Sequence, residues 1–172
     1  METERLIIRR FHVNDREDLY VYLSQEETVK YEPYEIFKEE EFKREALKRA
    51  GSGSFWAVCL KSSAKLIGNI YLEEKGFEAW ELGYVFNADF LGQGYAIEAV
   101  RALIDYAVRE KTARIVAMCN PLNERSLKLL ERVGMRKEGL LLQNIYFKKD
   151  EQGFPIWQDT CEYAILRGEW IK

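Results

Sequence analysis

The chain has 172 residues, 47% of them hydrophobic, which predicts one compact domain over residues 1–172 with a substantial core. Its 26 basic and 29 acidic side chains give a formal charge of −3, which argues against a nucleic-acid partner. No run approaches the ~18 apolar residues of a membrane span, and the first residues lack the basic-then-apolar order of a secretory signal, so we expect a cytoplasmic protein without a membrane partner.

The N-terminal third predicts a strand and helical segments, at residues 5–9, 14–23 and within 25–50. Asn14 or Asp15 is expected to cap the first helix, because both residue types accept hydrogen bonds from a helix's free amides. The turn around Pro33 is expected to separate two further helices.

The middle of the chain predicts three strands, at residues 55–60, 65–74 and 77–86. The last two are expected to form a hairpin with its turn around Lys75 and Gly76. A helix follows from about Tyr95. Its apolar residues fall on one side and its polar residues on the other, which is typical of a helix packed on a sheet.

The last part predicts a strand at residues 114–119, a helix at 124–133, and strands at 136–148 and 156–166. Gly134 is expected to end the helix as a left-handed cap. Antiparallel hairpins, then strand–helix–strand–helix, then paired strands indicate an α/β (α+β) fold: a mixed, mostly antiparallel central sheet with helices on both faces.

Cysteine and histidine usage restricts the chemistry. Cys59, Cys119 and Cys161 are odd in number and lie in apolar segments, which favours reduced core thiols over a disulfide framework. His12 is the single histidine, so His-rich zinc motifs are excluded and no metal site is predicted. No Gly-x-Ser-x-Gly segment accompanies it, which argues against a serine nucleophile.

The turn between the third strand and the following helix is the strongest functional signal. Gly92 and Gly94 permit the positive φ angles of a tight turn. The amides of Gln93, Gly94, Tyr95 and Ala96 would then be the free donors of a helix's first turn, which is a cradle for phosphate. We predict a pyrophosphate-bearing cofactor. The alternative is a turn with two glycines for geometry alone, as in many strand-to-helix turns. The turn lacks the third glycine of a dinucleotide fingerprint and the Gly-Lys-Ser/Thr of a nucleoside-triphosphate loop.

Several segments in order resemble the GNAT superfamily of acyl-CoA N-acyltransferases, especially its Rim-type branch, which includes ribosomal-protein N-acetyltransferases. The segments are ERLIIRRF (4–11), LIGNI (66–70), ELGYV (81–85), LGQGYAIEA (91–99), NERS (123–126) and LERVGMRKEG (130–139). The resemblance covers nearly the whole chain.

This resemblance implies acetyl-CoA as the cofactor, with the amides of residues 93–96 on its pyrophosphate. It also implies that the strand ending near Phe86 splays from the strand ending near Cys119. Pantetheine would lie in that cleft and pair with the backbone near Val85. The superfamily often has Arg or Gln at the position of Leu91, so one side-chain contact is missing here.

Acyl transfer to an amine requires a neutral amine, a stabilised thioester oxygen and a protonated leaving thiolate. A base or a water chain serves the first requirement and typically contributes ~10²–10⁴-fold in rate. A backbone N–H near Val85 is the predicted donor to the developing oxyanion. No covalent enzyme intermediate is required.

Glu81 is the candidate base. It lies on the strand that leads into the glycine turn and matches an acidic position of the Rim-type pattern. On a central strand its carboxylate is expected to be partly desolvated, with a raised pKa. The alternatives are a carboxylate paired with Lys or Arg, a solvated carboxylate, and a site in which ordered water acts instead.

Ser126 is the candidate acid for the thiolate, and Asn123 is a candidate contact for pantetheine. Other superfamily members often have tyrosine at the position of Leu130. Leucine cannot donate a proton, so this role is either vacant or taken by Ser126, as the resemblance to the Rim-type branch implies. The alternative for Ser126 is a capping function. Asn123 is also the expected N-cap of its helix, worth roughly 1 kcal/mol, and the two roles are compatible.

The sequence indicates less about the pocket for the acceptor amine. Five aromatic residues lie in segments that are placed to cover it, at Tyr31, Tyr34, Tyr146, Phe147 and Trp157. Aromatic side chains are nevertheless more often core residues than substrate contacts.

These features predict an N-acetyltransferase that moves acetyl from acetyl-CoA to a primary amine in a direct ternary complex, leaving CoA as product. A protein N-terminus is the leading acceptor. Amino sugars, polyamines and amino-acid derivatives are close alternatives. A non-catalytic acyl-CoA sensor and a structural protein are rivals of a different class. The chain is expected to be a monomer or a homodimer.

Overall fold

A computed structural model describes residues 1–110 and 112–170. Within these residues a seven-stranded sheet has the order β1-β2-β3-β4-β5-β7-β6. Its strands are β1 (Leu6–Arg10), β2 (Phe55–Leu60), β3 (Leu66–Gly76), β4 (Ala79–Phe86), β5 (Arg114–Cys119), β6 (Arg136–Lys149) and β7 (Pro155–Leu166). Among the strands described here, only β4 and β5 pair in parallel, and every other neighbouring pair is antiparallel. The predicted mixed, mostly antiparallel sheet is confirmed.

Helices cover both faces of this sheet, as predicted. They are α1 (Arg16–Leu23), α2 (Glu26–Val29), α3 (Glu39–Ala50), α4 (Tyr95–Arg109), α5 (Glu124–Val133) and the unpredicted single turn α6 (Arg167–Trp170). On one face α1 and α3 bury Leu19 and Phe42. On the other, α4 buries Leu103, which is fully inaccessible. Each such side chain contributes about 1.5–3 kcal/mol to stability.

The β3–β4 hairpin turns two residues later than the sequence predicts. Gly76 pairs with Ala79, so Phe77 and Glu78 form a two-residue turn with φ angles of 53° and 55°. Two successive positive φ angles match the right-handed twist of the strands, which favours this turn despite unfavourable residue types. Strand β4 therefore begins at Ala79.

Strands β4 and β5 splay apart. Their register has three pairs, Ala79 with Arg114, Trp80 with Ile115 and Glu81 with Val116. Beyond these pairs β4 stays bonded to β3, and β5 stays bonded to β7. Because each strand is held on its outer side alone, a gap opens between residues 82–86 and residues 117–119. This is the splay that the resemblance implied.

The three cysteines are free and buried, as predicted. Burial raises the pKa of Cys59 and of Cys119 to about 11, so both thiols are protonated at neutral pH. Across residues 1–110 and 112–170, no helix combines the length and the hydrophobicity needed to cross a bilayer.

Candidate active site

The glycine turn has the geometry that the sequence predicts. Gly92 and Gly94 have φ angles of 75° and 82°, and Gly94 is the N-cap of α4. Within the described residues, the amides of residues 93–96 donate no hydrogen bond to a backbone or side-chain acceptor. Four free N–H groups therefore lie at the positive end of a 15-residue helix.

Arg5 braces this turn, and sequence reasoning missed it. Its Nη1 donates to Gln93 O at 2.9 Å and its Nε to Glu98 Oε2 at 2.7 Å. Thr3 Oγ1 donates to the other carboxylate oxygen of Glu98 at 2.5 Å. Partial burial raises the pKa of Glu98, but the bonds from Thr3 and Arg5 outweigh it, so the net pKa is lowered. The turn is thus tied to β1 by an ionised carboxylate.

The ladder between β3 and β4 decides which amides face the gap. Asn87 N donates to Ile67 O at 2.9 Å, and Val85 lies two residues before Asn87. Because hydrogen-bonded pairs alternate along an antiparallel ladder, the N–H and C=O of Val85 point towards β3. The groups that face the gap are those of Tyr84 and Phe86. The backbone donor predicted near Val85 therefore shifts to these neighbours.

A smaller cavity of about 380 Å³ connects the glycine turn with the gap. Its lining comes from residues 27–32, β4, the turn, the start of α4 and the start of α5, and includes Tyr84, Val85, Leu91, Ala96, Asn123 and Ser126. Of the predicted cofactor and acid residues, Val85, Ala96, Asn123 and Ser126 line this cavity, while residues 92–95 do not.

Ser126 is bonded to Tyr84 inside this cavity. The two hydroxyl oxygens lie 2.6 Å apart, and Tyr84 also donates to the carbonyl of Ser126 at 3.2 Å. Burial raises the pKa of Tyr84 above its ordinary value. A neutral hydroxyl pair thus lies at the open ends of β4 and β5.

The cap of α5 is Asn123, as predicted. Its Oδ1 accepts from Ser126 N at 3.2 Å. The Ser126 hydroxyl has no part in this cap, so the capping alternative is wrong for that group. Leu130, where relatives often have tyrosine, is 1% exposed and packs in the core.

A larger cavity of about 840 Å³ adjoins the smaller one and passes through the gap. Glu81 and Ser126 both line it, but from opposite faces of the sheet. Side chains alternate between the two faces along β4, so Glu81 lies on the face of Val85 and Tyr84 lies on the other. Ser126 contacts Tyr84 and is therefore on that other face. Glu81 Oε2 lies 3.0 Å from Lys75 Nζ, and its side chain is 36% exposed. The ion pair that was the alternative is present.

The aromatic residues predicted for an acceptor pocket divide into two groups. Tyr31, Tyr34 and Phe147 line the larger cavity. Tyr146 and Trp157 instead pack against each other, with ring centroids 5.3 Å apart, and neither is among the lining residues. Alternation along β6 separates Tyr146 from Phe147.

Arg49 forms a buried network beside the larger cavity. Its Nε donates to Glu45 Oε1 at 2.8 Å and its Nη1 to Asn69 Oδ1 at 2.6 Å. Tyr22 donates to the same Asn69 oxygen at 2.9 Å. Arg49 is 1% exposed, so this positive charge is held at one place in the cavity wall.

Glu32 is a second residue that sequence reasoning missed. It lines both cavities, together with Tyr84 and Ser126. Burial raises the pKa of Glu32 to about 7, although the charge of Arg49 and a hydrogen bond with Tyr34 oppose the rise. The sequence marks this position only as a turn residue before Pro33.

Comparison with known proteins gives the family. The family described as "Acetyltransferase (GNAT) domain" matches residues 5–136. "Uncharacterized N-acetyltransferase YnaD" of Bacillus subtilis (strain 168) is 36% identical over 171 residues, covering 98% of this chain and 97% of that protein. The ribosomal protein uS5 alanine N-acetyltransferase of Escherichia coli (strain K12) is 28% identical, covering 99% and 92%. A solved GNAT-family acetyltransferase of Bacillus anthracis is 35% identical with a TM-score of 0.86, covering 98% of each chain.

Together the splayed sheet, the free-amide turn and these relatives define an acyl-CoA-dependent N-acyltransferase. The chain belongs to the GNAT acetyltransferase family, whose members use acetyl-CoA, and is similar to its Rim-type enzymes.

Proposed function

We propose that this enzyme transfers acetyl from acetyl-CoA to a primary amine by direct attack in a ternary complex. The observation that carries the proposal is the set of four free amides at the Gly94 cap, which opens through the smaller cavity into the β4–β5 gap. The amides of Gln93, Gly94, Tyr95 and Ala96 bind the pyrophosphate. Pantetheine lies in the smaller cavity, where Asn123 contacts it.

The chemistry then follows from groups at the gap. The backbone N–H of Tyr84 or Phe86 donates to the thioester oxygen as negative charge develops. Ser126, bonded to the buried Tyr84 hydroxyl, supplies a proton to the departing thiolate. Glu81 was predicted as the base from the sequence, and its role stays a prediction.

A peptide amino terminus is the leading acceptor class. The support is the 28% identical relative that is named for acetylating an alanine of a ribosomal protein. The larger cavity is also roomy enough for a small amine. Amino sugars, polyamines and amino-acid derivatives therefore belong in the test.

Calorimetry and thiol release test this proposal. Acetyl-CoA is expected to give saturable heat, and CoA is expected to be released with at least one of four amines: an alanine-terminated peptide, spermidine, glucosamine and lysine amide. Mass spectrometry should show the added acetyl group on that amine. No heat at millimolar acetyl-CoA contradicts cofactor binding, and heat without thiol release contradicts the transfer.

Substitution of Ser126 by alanine should separate turnover from binding. Ser126→Ala is expected to lower kcat about 10²-fold, because the thiolate loses its proton donor. Tyr84 keeps the backbone carbonyl of residue 126 as a partner, so the fold should persist. Calorimetry should give an unchanged acetyl-CoA affinity. A variant with wild-type kcat would leave the hydroxyl without a catalytic role.

A further inference from the structure

We infer that Glu32 binds the ammonium group of the acceptor and takes its proton before attack. This inference rests on the proposed acetyl transfer and assigns the base to a residue outside the β4 strand. The first ground is position: Glu32 lines the smaller and the larger cavity at once, beside Tyr84, Ser126 and the gap. An amine held there meets both the acetyl carbon and a carboxylate.

The second ground is that Glu32 is the unpaired carboxylate of the two cavities. Every other glutamate that lines them is in an ion pair, namely Glu27 with Arg125, Glu45 with Arg49, Glu81 with Lys75 and Glu124 with Lys128. Within residues 1–110 and 112–170, Glu32 has no such partner within 4.0 Å. A cationic amine would complete the missing pair, which gives the site its preference for an ammonium group.

The third ground is the electrostatic effect of the Glu32 carboxylate on its neighbours, together with its own raised pKa. Burial raises the pKa of Tyr84 on β4 and of Cys119 on β5, and the negative charge of Glu32 adds to the rise in both, so its field reaches both sides of the gap. Its own pKa is raised to about 7, mainly by burial. A carboxyl group with that pKa accepts a proton from an ammonium group far better than an exposed carboxylate and releases it to water near neutral pH.

The proton balance closes without any further reactant. Glu32 takes one proton from R–NH₃⁺, and the neutral nitrogen forms its bond to the acetyl carbon. When the C–S bond breaks, the nitrogen loses its second proton and the thiolate gains one through the Ser126 and Tyr84 hydroxyls. The products are the N-acetyl amine and CoA–SH, and Glu32 returns its proton to solvent.

The pH dependence of kcat/KM is the test, measured with acetyl-CoA and the best acceptor of the four-amine panel. The groups that are electrostatically coupled to Glu32 are Tyr34 in its own loop, Arg49 on α3, Tyr84 on β4 and Cys119 on β5. Other charged side chains in the walls of the two cavities are Lys30, Arg125, Arg44 and Lys48. The pKa values of Tyr34, Arg49, Tyr84 and Cys119 are all raised further above neutrality, so none of these four groups is expected to titrate near pH 7. The wild type should therefore lose activity as the pH falls through about 7, because Glu32 becomes protonated.

Glu32→Gln should lower kcat/KM about 10²-fold at pH 7 and remove this acidic limb. Its deficit should shrink at alkaline pH, where solvent deprotonates the amine directly. Acetyl-CoA affinity by calorimetry should be unchanged. The matched control is Glu35→Gln, which makes the same change three residues away in a 79% exposed side chain paired with Lys148. It should keep the wild-type profile.

The outcomes separate this inference from the proposed function. Suppose that the wild type is active. If the acidic limb survives in Glu32→Gln, or is lost in Glu81→Gln instead, the assignment of the base to Glu32 is overturned, while the proposed acetyl transfer stands. A wild type that acetylates none of the four amines overturns both. Should Glu32→Gln fail to fold, Glu32→Asp decides. If Glu32→Asp retains the acidic limb of the pH profile with a reduced kcat, the inference is supported. If Glu32→Asp has the wild-type kcat, the inference is contradicted.

Discussion

Acetyl-CoA binding should disappear in Gly94→Asp. Gly94 has φ of 82°, a left-handed conformation that costs an ordinary L-residue roughly 1–2 kcal/mol. A Cβ there would lie 3.2 Å from an Arg5 Nη2 atom that belongs to the brace of the turn. The added carboxylate would also repel the pyrophosphate at its four amides. Losing two charge-assisted hydrogen bonds, each about 1.5–3 kcal/mol, lowers affinity by ~10²-fold or more.

Calorimetry with acetyl-CoA measures this effect, and Gly153→Asp is its matched control. Gly153 has a similar φ of 87°, at the tip of the β6–β7 connection, with nothing within 4 Å of its hypothetical Cβ. It carries the same change of charge and the same backbone strain, far from the turn, so its affinity should equal that of the wild type. Gly94→Asp with undiminished affinity would contradict the cradle.

The largest loss of stability is expected in Arg49→Met. The substitution removes the guanidinium that binds Glu45 at 2.8 Å and Asn69 at 2.6 Å. Glu45 and Asn69 are only 8% and 2% exposed, so water cannot replace the lost donors freely. Breaking a buried pair in this way lowers the free energy of unfolding by about 3–5 kcal/mol. Urea denaturation followed by circular dichroism measures it.

Lys48→Met is the control for that prediction. Lys48 precedes Arg49 on the same helix and also pairs with Glu45, at 3.6 Å, but its side chain is 66% exposed. Its removal should lower the free energy of unfolding by less than about 1 kcal/mol. If the two variants lost equal free energy of unfolding, burial of the Arg49 network would not add to its contribution to stability.

The parts of the site that the sequence predicts are those set by local rules. Two glycines with positive φ and a following amphipathic helix define the cradle within about a dozen residues. Asn123 caps α5 through an amide three residues away, and Gly134 ends that helix with φ of 106°. Each feature depends on neighbours along the chain, so pattern and structure agree.

The parts that the sequence could not predict depend on contacts between distant segments. Arg5 meets Gln93 across 88 positions, and nothing near either residue indicates the pairing. Glu32 acquires its environment from α3, β4 and β5, which converge on it only in the folded chain. The sequence predicts a partly desolvated Glu81 from its strand, with an ion pair to Lys or Arg as the alternative. It could not show which cation lies near, and the structure gives Lys75 across the β3–β4 hairpin.

The gap between β4 and β5 also affects the order in which the two substrates bind and the two products leave. The smaller cavity and the glycine turn lie towards α4 and α5, while the larger cavity reaches through the opening to the face covered by α1 and α3. In the proposed ternary complex acetyl-CoA lies on the first side, and the amine would arrive from the other. Neither reactant then obstructs the other's route, so steady-state kinetics should follow a random-order mechanism, and spent CoA can depart while the acetylated product is still bound.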